Sequence, residues 1–208
     1  MDLSITGARV VDPYSDRDAV ADVHVCGGRI LAVGPAPAGF SPQRQIDGRG
    51  LVLAPGLVDL AARLREPGFE YKATLESEMH AAVAGGITSL VCPPDTDPAL
   101  DEPGLIEMLK HRARSLGLTS LYPLGALTVG LAGEDLTEIA ELTEAGCVGF
   151  SLDNVPVVNT QVLLRALQYA NTYGFVVWLH PQDAFLGRGG VAHNGAVRPA
   201  SACPVSLC

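Results

Sequence analysis

The segment GLVDLAARLREPG, residues 56–68, joins an apolar strand-like run to a charged loop. Side chains alternate along a strand, which places Ala61 and Arg63 on the same face. In a metal-dependent hydrolase, such positions near a strand end carry histidines, because imidazole holds the zinc ion that activates water. Here one position has no donor atom and the other adds a positive charge, which opposes the entry of a dication. The segment therefore has the form of a metal site without its ligands.

His180, at the end of another apolar run, is the remaining candidate metal ligand. A catalytic zinc normally takes three protein ligands and a water, so one imidazole predicts no zinc site. The other interpretation is a hydrogen-bonded histidine that lines a barrel. The other four histidines lack metal-like spacing: His24, His80, His111 and His193. The five cysteines form no Cys-x-x-Cys pair, and Cys92 and Cys147 lie in apolar runs typical of buried thiols.

Composition predicts a folded α/β protein. Hydrophobic residues make up 48% of the 208 residues and charged residues 18%. The net charge of −9 argues against nucleic acid or an anionic membrane as the main partner. No apolar run approaches the roughly 20 residues of a membrane span, and no signal-peptide pattern opens the chain. We therefore expect a cytoplasmic protein.

The elements that must position these residues follow a change in pattern after residue 54. Residues 1–54 predict a small N-terminal β-domain, with a tight hairpin at Gly27-Gly28. Beyond it, five strand-like runs alternate with four helical segments, which implies parallel βα units. Their period of about 30 residues suits a doubly wound sheet or a (β/α) barrel. The strand-like runs are 57–64, 89–93, 120–127, 147–152 and 175–180.

A barrel is the favoured arrangement, because no GxGxxG or Walker-type loop follows any of the strands. The predicted fold is α/β: a partial (β/α)8 TIM-type barrel of about five βα units over residues 55–197. In such barrels the chemistry lies at the carboxyl ends of the strands, where Arg63 and His180 fall.

The run LAPGLVDLAARLREPGFEYKATLESEMHAAVAGGITSLVCPPDTDP resembles the dihydroorotase branch of the amidohydrolase superfamily. There GLVD leads to His-x-His and directly to LREPG, and the likeness extends from the N-terminus to about Val197. The resemblance implies a zinc site in active relatives, whose two histidines fall on Ala61 and Arg63. The family motif FSDDG aligns with FSLDN, which puts Leu152 where a metal-bridging aspartate or carboxylated lysine is expected. His180 matches a ligand position, whereas Asp153 is offset by one residue toward the opposite face.

The resemblance also implies a substrate-binding role for the arginine of LREPG and for an asparagine after the second strand. Arg65 remains as a remnant of that site, but Asp95 replaces the asparagine and would repel an anionic ligand. A structural ion pair with a loop carboxylate is the alternative role for Arg65. We expect no catalytic residue, no metal and no cofactor in this chain.

The effect of a zinc ion on the pKa of bound water is large, which supports the expectation that the chain is inactive without the metal ligands. Zinc lowers the pKa of its bound water from about 15.7 to about 7, on the order of 12 kcal/mol. The segments CPPDTDP, LGALTVGLAGE and VPVVNTQVLLRALQYA resemble non-catalytic dihydroorotase-like proteins. That resemblance implies a structural subunit that forms a hetero-oligomer with aspartate transcarbamoylase in pyrimidine biosynthesis. Two alternatives remain open: an active cyclic-amide hydrolase with an atypical metal site, and a truncated product without function.

The last residues of the chain are the reason for considering a truncated product. Residues 198–208 predict neither helix nor strand, and a two-nucleotide shift of suitable codons would restore a family-like LGLPGxP segment. We expect a frameshift near Val197, with the remaining barrel strands and the rest of a composite β-sandwich encoded beyond it. A half barrel exposes strand edges and apolar surface, so we expect the 208-residue chain to aggregate or to need a partner.

Overall fold

A computed structural model describes residues 2–181, 185, 192–193 and 205–206. The chain divides into two compact units, Met1–Gly56 and Leu57–Cys208. The sequence placed this boundary two residues earlier, after residue 54. The expected tail of residues 198–208 lies outside the described residues, except for one two-residue strand.

The first unit is a five-stranded sheet of order β3-β2-β1-β4, with β5 also paired to β1. Its hairpin at Gly27-Gly28 is confirmed: both glycines have positive φ, and Cys26 pairs with Arg29 across a two-residue turn. Strands β1 and β2 are antiparallel, whereas β4 and β5 run parallel to β1. The strands are β1 Leu3–Asp12, β2 Arg17–Cys26, β3 Arg29–Val33, β4 Arg44–Asp47 and β5 Val52–Leu53.

The second unit is a parallel sheet of order β10-β9-β8-β7-β6 with helices in the connections. This arrangement confirms the predicted partial barrel. Its strands are β6 Leu57–Asp59, β7 Ile87–Cys92, β8 Ser120–Ala126, β9 Gly149–Ser151 and β10 Val177–Trp178. Its helices are α1 Leu75–Ala84, α2 Pro103–Leu116, α3 Ile139–Ala145 and α4 Thr160–Tyr173, with a 3-10 turn at Val129–Leu131. A short parallel pair, β11 Ala192–His193 with β12 Val205–Ser206, follows, although the tail predicted no strand.

The helices begin and end where their capping residues predict. The side chain of Thr74 accepts from the Ser77 amide before α1, and Asn159 accepts from the amides of the first turn of α4. Pro103 opens α2, and Gly117 closes it in the left-handed conformation. The inner faces of the helices bury a continuous core with the sheet. Its fully buried members include Leu75, Met79, Leu90, Ile106, Leu109, Leu127, Ile139, Leu142 and Phe150.

Strand β6 is much shorter than the predicted run of residues 57–64. Regular pairing with β7 stops at Asp59, although the Ala62 amide still donates to the Val91 carbonyl at 2.9 Å. The backbone bends at residues 60 and 61, so strict alternation no longer applies there. The prediction that Ala61 and Arg63 share one face of a strand is therefore wrong. Both residues lie in the segment that follows the strand.

The loop after this segment packs tightly against the loop after β7. Gly68 has a φ of +95°, and a Cβ placed there would lie 2.2 Å from the Asp97 carbonyl oxygen. The Asp97 amide donates to the Pro67 carbonyl at 3.1 Å, which fixes the two loops side by side. The Glu66-Pro67 and Asp97-Pro98 peptides are both cis. Only glycine satisfies both the backbone angle and the space at position 68.

We expect Gly68→Ala to lower the free energy of unfolding by about 2 kcal/mol or more, because it adds a backbone clash to an unfavourable φ. Gly86→Ala is the matched control, since Gly86 has a φ of +79° with no atom within 4 Å of its Cβ position. The control should lose only the φ penalty, about 1 kcal/mol. Urea unfolding of both variants measures the difference. Equal losses would mean that the loop contact does not constrain the fold.

Apolar side chains are exposed along the β6 edge of the sheet, at Leu57, Val58 and Leu60. Among the described residues β6 pairs only with β7, so its other edge has free backbone donors and acceptors. We expect the 208-residue chain to self-associate through such edges. Size-exclusion chromatography with light scattering should show species larger than one chain, and Val58→Lys should shift them toward the monomer. Leu164→Lys, an equally exposed position on α4, is the control. A monodisperse, cooperatively melting monomer of the unaltered chain would contradict this expectation.

Candidate functional site

Four charged side chains meet beyond the carboxyl ends of β6, β7 and β9. Arg63 and Arg65 follow β6, Asp95 follows β7, and Asp153 follows β9. In parallel βα folds this edge of the sheet carries the functional residues. The four residues are called the strand-end cluster below.

Arg63 is the centre of the strand-end cluster. Its Nη2 donates to Asp153 Oδ1 at 2.7 Å and its Nη1 to Asp153 Oδ2 at 3.2 Å, which makes a bidentate pair. The same Nη1 also donates to Asp95 Oδ2. Arg65 Nη1 lies 3.8 Å from that Asp95 oxygen. One guanidinium therefore joins carboxylates from two different strand ends.

The cluster is partly buried and balanced in charge. The side chain of Asp153 is 12% exposed, that of Asp95 19% and that of Arg63 30%. Burial acts to lower the pKa of Arg63, but the charges and hydrogen bonds of Asp95 and Asp153 outweigh it and raise the pKa above its ordinary value. Two cations face two anions, so the cluster as a whole presents little net charge to a ligand.

The structure corrects the expected orientation of Asp153. Strand β9 ends at Ser151, and Asp153 has a φ of +53° in the left-handed region. Its amide donates to Ser151 Oγ at 2.9 Å, so the chain turns back on itself instead of continuing the alternation. The carboxylate consequently faces Arg63, whereas the one-residue offset predicted the opposite face. A positive φ at an aspartate leaves no periodic signal in the sequence.

The expectation that Asp95 repels an anion is also incomplete. The Asp95 carboxylate is occupied by Arg63 and lies near Arg65, so two guanidinium groups offset its charge. Arg65 has a φ of +62° and holds the ion pair that the sequence offered as its structural role. Substrate binding by Arg65 remains a prediction that the geometry leaves untested.

The residues present do not fit a zinc ion. Ala61 is exposed and offers no donor atom, and Leu152 is 4% exposed in the hydrophobic core. His180 follows β10, is exposed, and has no hydrogen-bond partner among the described residues, in contrast to the hydrogen-bonded interpretation. The carboxylates of Asp95 and Asp153 point at a guanidinium. In the described part of the chain, no three His, Cys, Asp or Glu side chains are grouped to hold a metal ion.

The chain matches a known protein family over most of its length. A sequence profile described as "Dihydro-orotase-like" matches residues 50–200. The chain belongs to this family. A "Dihydroorotase-like protein" of Pseudomonas aeruginosa is 51% identical over 94% of this chain and 46% of its own length. A "Dihydroorotase" of Solibacter usitatus is 42% identical over 94% of this chain and 45% of its own length. The chain thus spans about half the length of these curated relatives.

Solved structures of amidohydrolase barrels share the fold of the dihydroorotase-like chain. The L-hydantoinase (dihydropyrimidinase) of Arthrobacter aurescens superposes with a TM-score of 0.75 at 23% identity, covering 89% of this chain and 42% of that one. An N-acyl-D-glutamate deacylase of Bordetella bronchiseptica, solved with zinc, gives 0.62 at 19% identity over 86% and 45% of the chains. These structures support the partial-barrel fold of the chain. No helix in the described residues of the dihydroorotase-like chain is long and apolar enough to span a bilayer.

Sequence reasoning missed one buried acid beside the cluster. The side chain of Glu66 in the REPG segment is 3% exposed, and its Oε2 accepts from the Leu75 amide at 2.8 Å. Its Oε1 contacts Arg112 of α2. A carboxylate at this position is stabilised by the positive end of the α1 dipole, and it accepts a hydrogen bond from one of the amides that lack a partner within the helix. Glu66 therefore ties the loop after β6 to two helices. Glu66 lies nine residues before the first residue of α1. This spacing fits no standard capping pattern, so the sequence did not predict the contact.

Cys92, the last residue of β7, lies beneath the cluster. Burial raises the pKa of its thiol to about 12, with Asp95 adding to the rise and Arg63 opposing it. Burial likewise raises the pKa of Cys147 to about 12. Both thiols were predicted to be buried, which the structure confirms. Neither is a nucleophile at neutral pH, because the thiolate is the reactive form.

The raised pKa of Cys92 predicts a loss of stability in alkali. The folded value of about 12 lies above the ordinary 9.0, so the contribution is complete below pH 9 and is lost as the pH rises from 9 toward 12. At pH 10 we expect the loss to be on the order of 1 kcal/mol relative to pH 8. Urea unfolding should show that Cys92→Ala removes this part of the pH dependence. Val91→Ala, a neighbouring truncation without a titrating group, is the control. The same pH slope in the Cys92 variant and the parent would refute the assignment.

Proposed function

We propose that this dihydroorotase-like chain is catalytically inactive and that the protein it represents is a structural subunit of aspartate transcarbamoylase in pyrimidine biosynthesis. Under this proposal it needs no metal and no cofactor, and it works in the cytoplasm as part of a hetero-oligomer. The observation that supports the proposal most strongly is the ion pairing of Arg63 with Asp95 and Asp153.

The chemical argument concerns the activation of water. Hydrolysis of a cyclic amide needs a nucleophile at neutral pH, and zinc supplies it in metal-dependent hydrolases by lowering the pKa of bound water to about 7. In the described residues of this chain, the strand ends contain a paired guanidinium and an alanine at the expected ligand positions. The two carboxylates nearby both accept hydrogen bonds from Arg63, which leaves them fewer lone pairs to offer a water molecule.

The curated relatives differ in name and in their similarity to the chain. Two relatives named "Dihydroorotase-like protein" are each 51% identical to the chain, whereas relatives named "Dihydroorotase" are 40–43% identical. The association with aspartate transcarbamoylase comes from the family resemblance, and the apolar edge at β6 is compatible with a role in assembly.

The test of inactivity measures dihydroorotate formation and zinc content together. We expect the purified 208-residue chain to show no turnover above background and no stoichiometric zinc after dialysis with added zinc. The dihydroorotase of Solibacter usitatus, treated in parallel, is the positive control. Turnover that is abolished by a chelator would overturn the proposal in favour of an atypical metal site.

The test of partnership is co-expression of the tagged chain with the aspartate transcarbamoylase of its own organism. We expect the two proteins to co-purify and to elute together in size-exclusion chromatography. The tagged Solibacter usitatus enzyme, expressed with the same transcarbamoylase, is the control for nonspecific capture. Complete separation of the chain from the transcarbamoylase would contradict the structural role, whatever the result for activity.

A further inference from the structure

The strand-end cluster already contains a bound cation, the guanidinium of Arg63. Two carboxylates from different loops approach this one group, and Nη1 donates to both of them. Asp95 and Asp153 are separated by 58 positions along the chain and have no hydrogen bond to each other. The guanidinium between them is the group that links the two carboxylates.

The backbones of these loops have their own hydrogen bonds, but the two carboxylates have few polar contacts other than the arginines. Asp153 is held by its own turn to Ser151 Oγ. Asp95 has its polar contacts with the two arginines. Without Arg63, two partly buried carboxylates would face each other with only Arg65 nearby, leaving a net charge of −1 from these three groups. Like charges at this burial repel each other more strongly than in water.

We propose that Arg63 is a built-in cation that occupies a carboxylate-lined site and joins the ends of β6, β7 and β9, and that its removal opens this site to a divalent metal ion. The site uses Asp95 and Asp153, and neither Ala61, Leu152 nor His180 takes part. The proposal concerns the cluster alone and does not depend on the role of the protein in pyrimidine biosynthesis.

The chemistry of the vacated site defines the class of ion. Two carboxylates offer hard oxygen donors, which suit Mn²⁺, Mg²⁺ and Ca²⁺ better than thiophilic metals. The negative charge left after removal of Arg63 attracts a dication, and open coordination positions would be filled by water. Arg65, 3.8 Å from the Asp95 oxygen, weakens this attraction without cancelling it.

The first experiment tests the structural part by thermal unfolding. Arg63→Met keeps the length and apolar stem of the side chain but removes its charge. We expect its Tm to fall by more than about 3 °C, because the two carboxylates lose the guanidinium that pairs with them. Adding Asp95→Asn and Asp153→Asn to this variant should recover most of the loss. Recovery separates the charge effect from a simple packing effect, which the two asparagines would not repair.

The second experiment tests the site with Mn²⁺ as the probe, using its electron paramagnetic resonance signal to measure the free ion. We expect Arg63→Ala to bind Mn²⁺ and to gain thermal stability as Mn²⁺ is added. The parent chain and Arg63→Ala/Asp153→Asn should do neither. Arg63→Lys is the charge-preserving control, and it should remain metal-free.

Each outcome has a definite meaning for the proposal. Mn²⁺ binding by Arg63→Ala that is lost on the further Asp153→Asn change supports it. Equal Mn²⁺ binding by the parent and Arg63→Ala would overturn it, because Arg63 would not be occupying the site. No binding by a folded Arg63→Ala variant would overturn the metal part. Failure of the asparagine substitutions to restore Arg63→Met would overturn the structural part, even if Arg63→Ala does not fold.

Discussion

One guanidinium links the loops that follow three parallel strands. Parallel strands bring their ends to a common edge, and the loops that leave this edge place polar side chains near one another. In the dihydroorotase-like chain those side chains carry opposite charges and satisfy each other. Exposed ion pairs contribute little to stability, but the partial burial of Asp153 and the bidentate geometry give this one more weight. The same pairing bears on the chemistry, because the Asp95 and Asp153 oxygens that accept from arginine have fewer lone pairs left for a metal ion.

Much of the fold could be predicted from the sequence because its local signals agree with one another. Thr74, Asn159 and Gly117 mark helix ends through side-chain geometry and backbone conformation, and these effects act within a few residues. Each predicted strand run of the barrel overlaps an observed strand. Their lengths were less predictable: apolar residues continue to Leu64, but pairing with β7 ends at Asp59, where the backbone bends. An apolar side chain can be buried in a bend as well as in a strand, so hydrophobicity alone does not give the end of pairing.

The site was predicted less completely, for a related reason. The loss of ligands at Ala61 and Arg63 is visible in the residue types alone. The partners of Arg63 are not, because Asp95 and Asp153 reach it from loops separated by two βα units. The left-handed backbone at Asp153 reversed the expectation drawn from alternation. Tertiary contacts between loops of this kind depend on a few dihedral angles, and sequence periodicity contains no information about them.

The residues of the REPG segment have structural roles in this chain. Glu66 satisfies an amide at the start of α1 and contacts Arg112, and Gly68 leaves room for the Asp97 carbonyl. These functions are mechanical, and they persist whether or not water is ever activated at the neighbouring strand end. A sequence match to this tetrapeptide therefore identifies a structural connection between the loop and its neighbours, and not a catalytic group. The capacity for a reaction depends on the residues that precede this tetrapeptide. In this chain those residues include an alanine and a paired arginine.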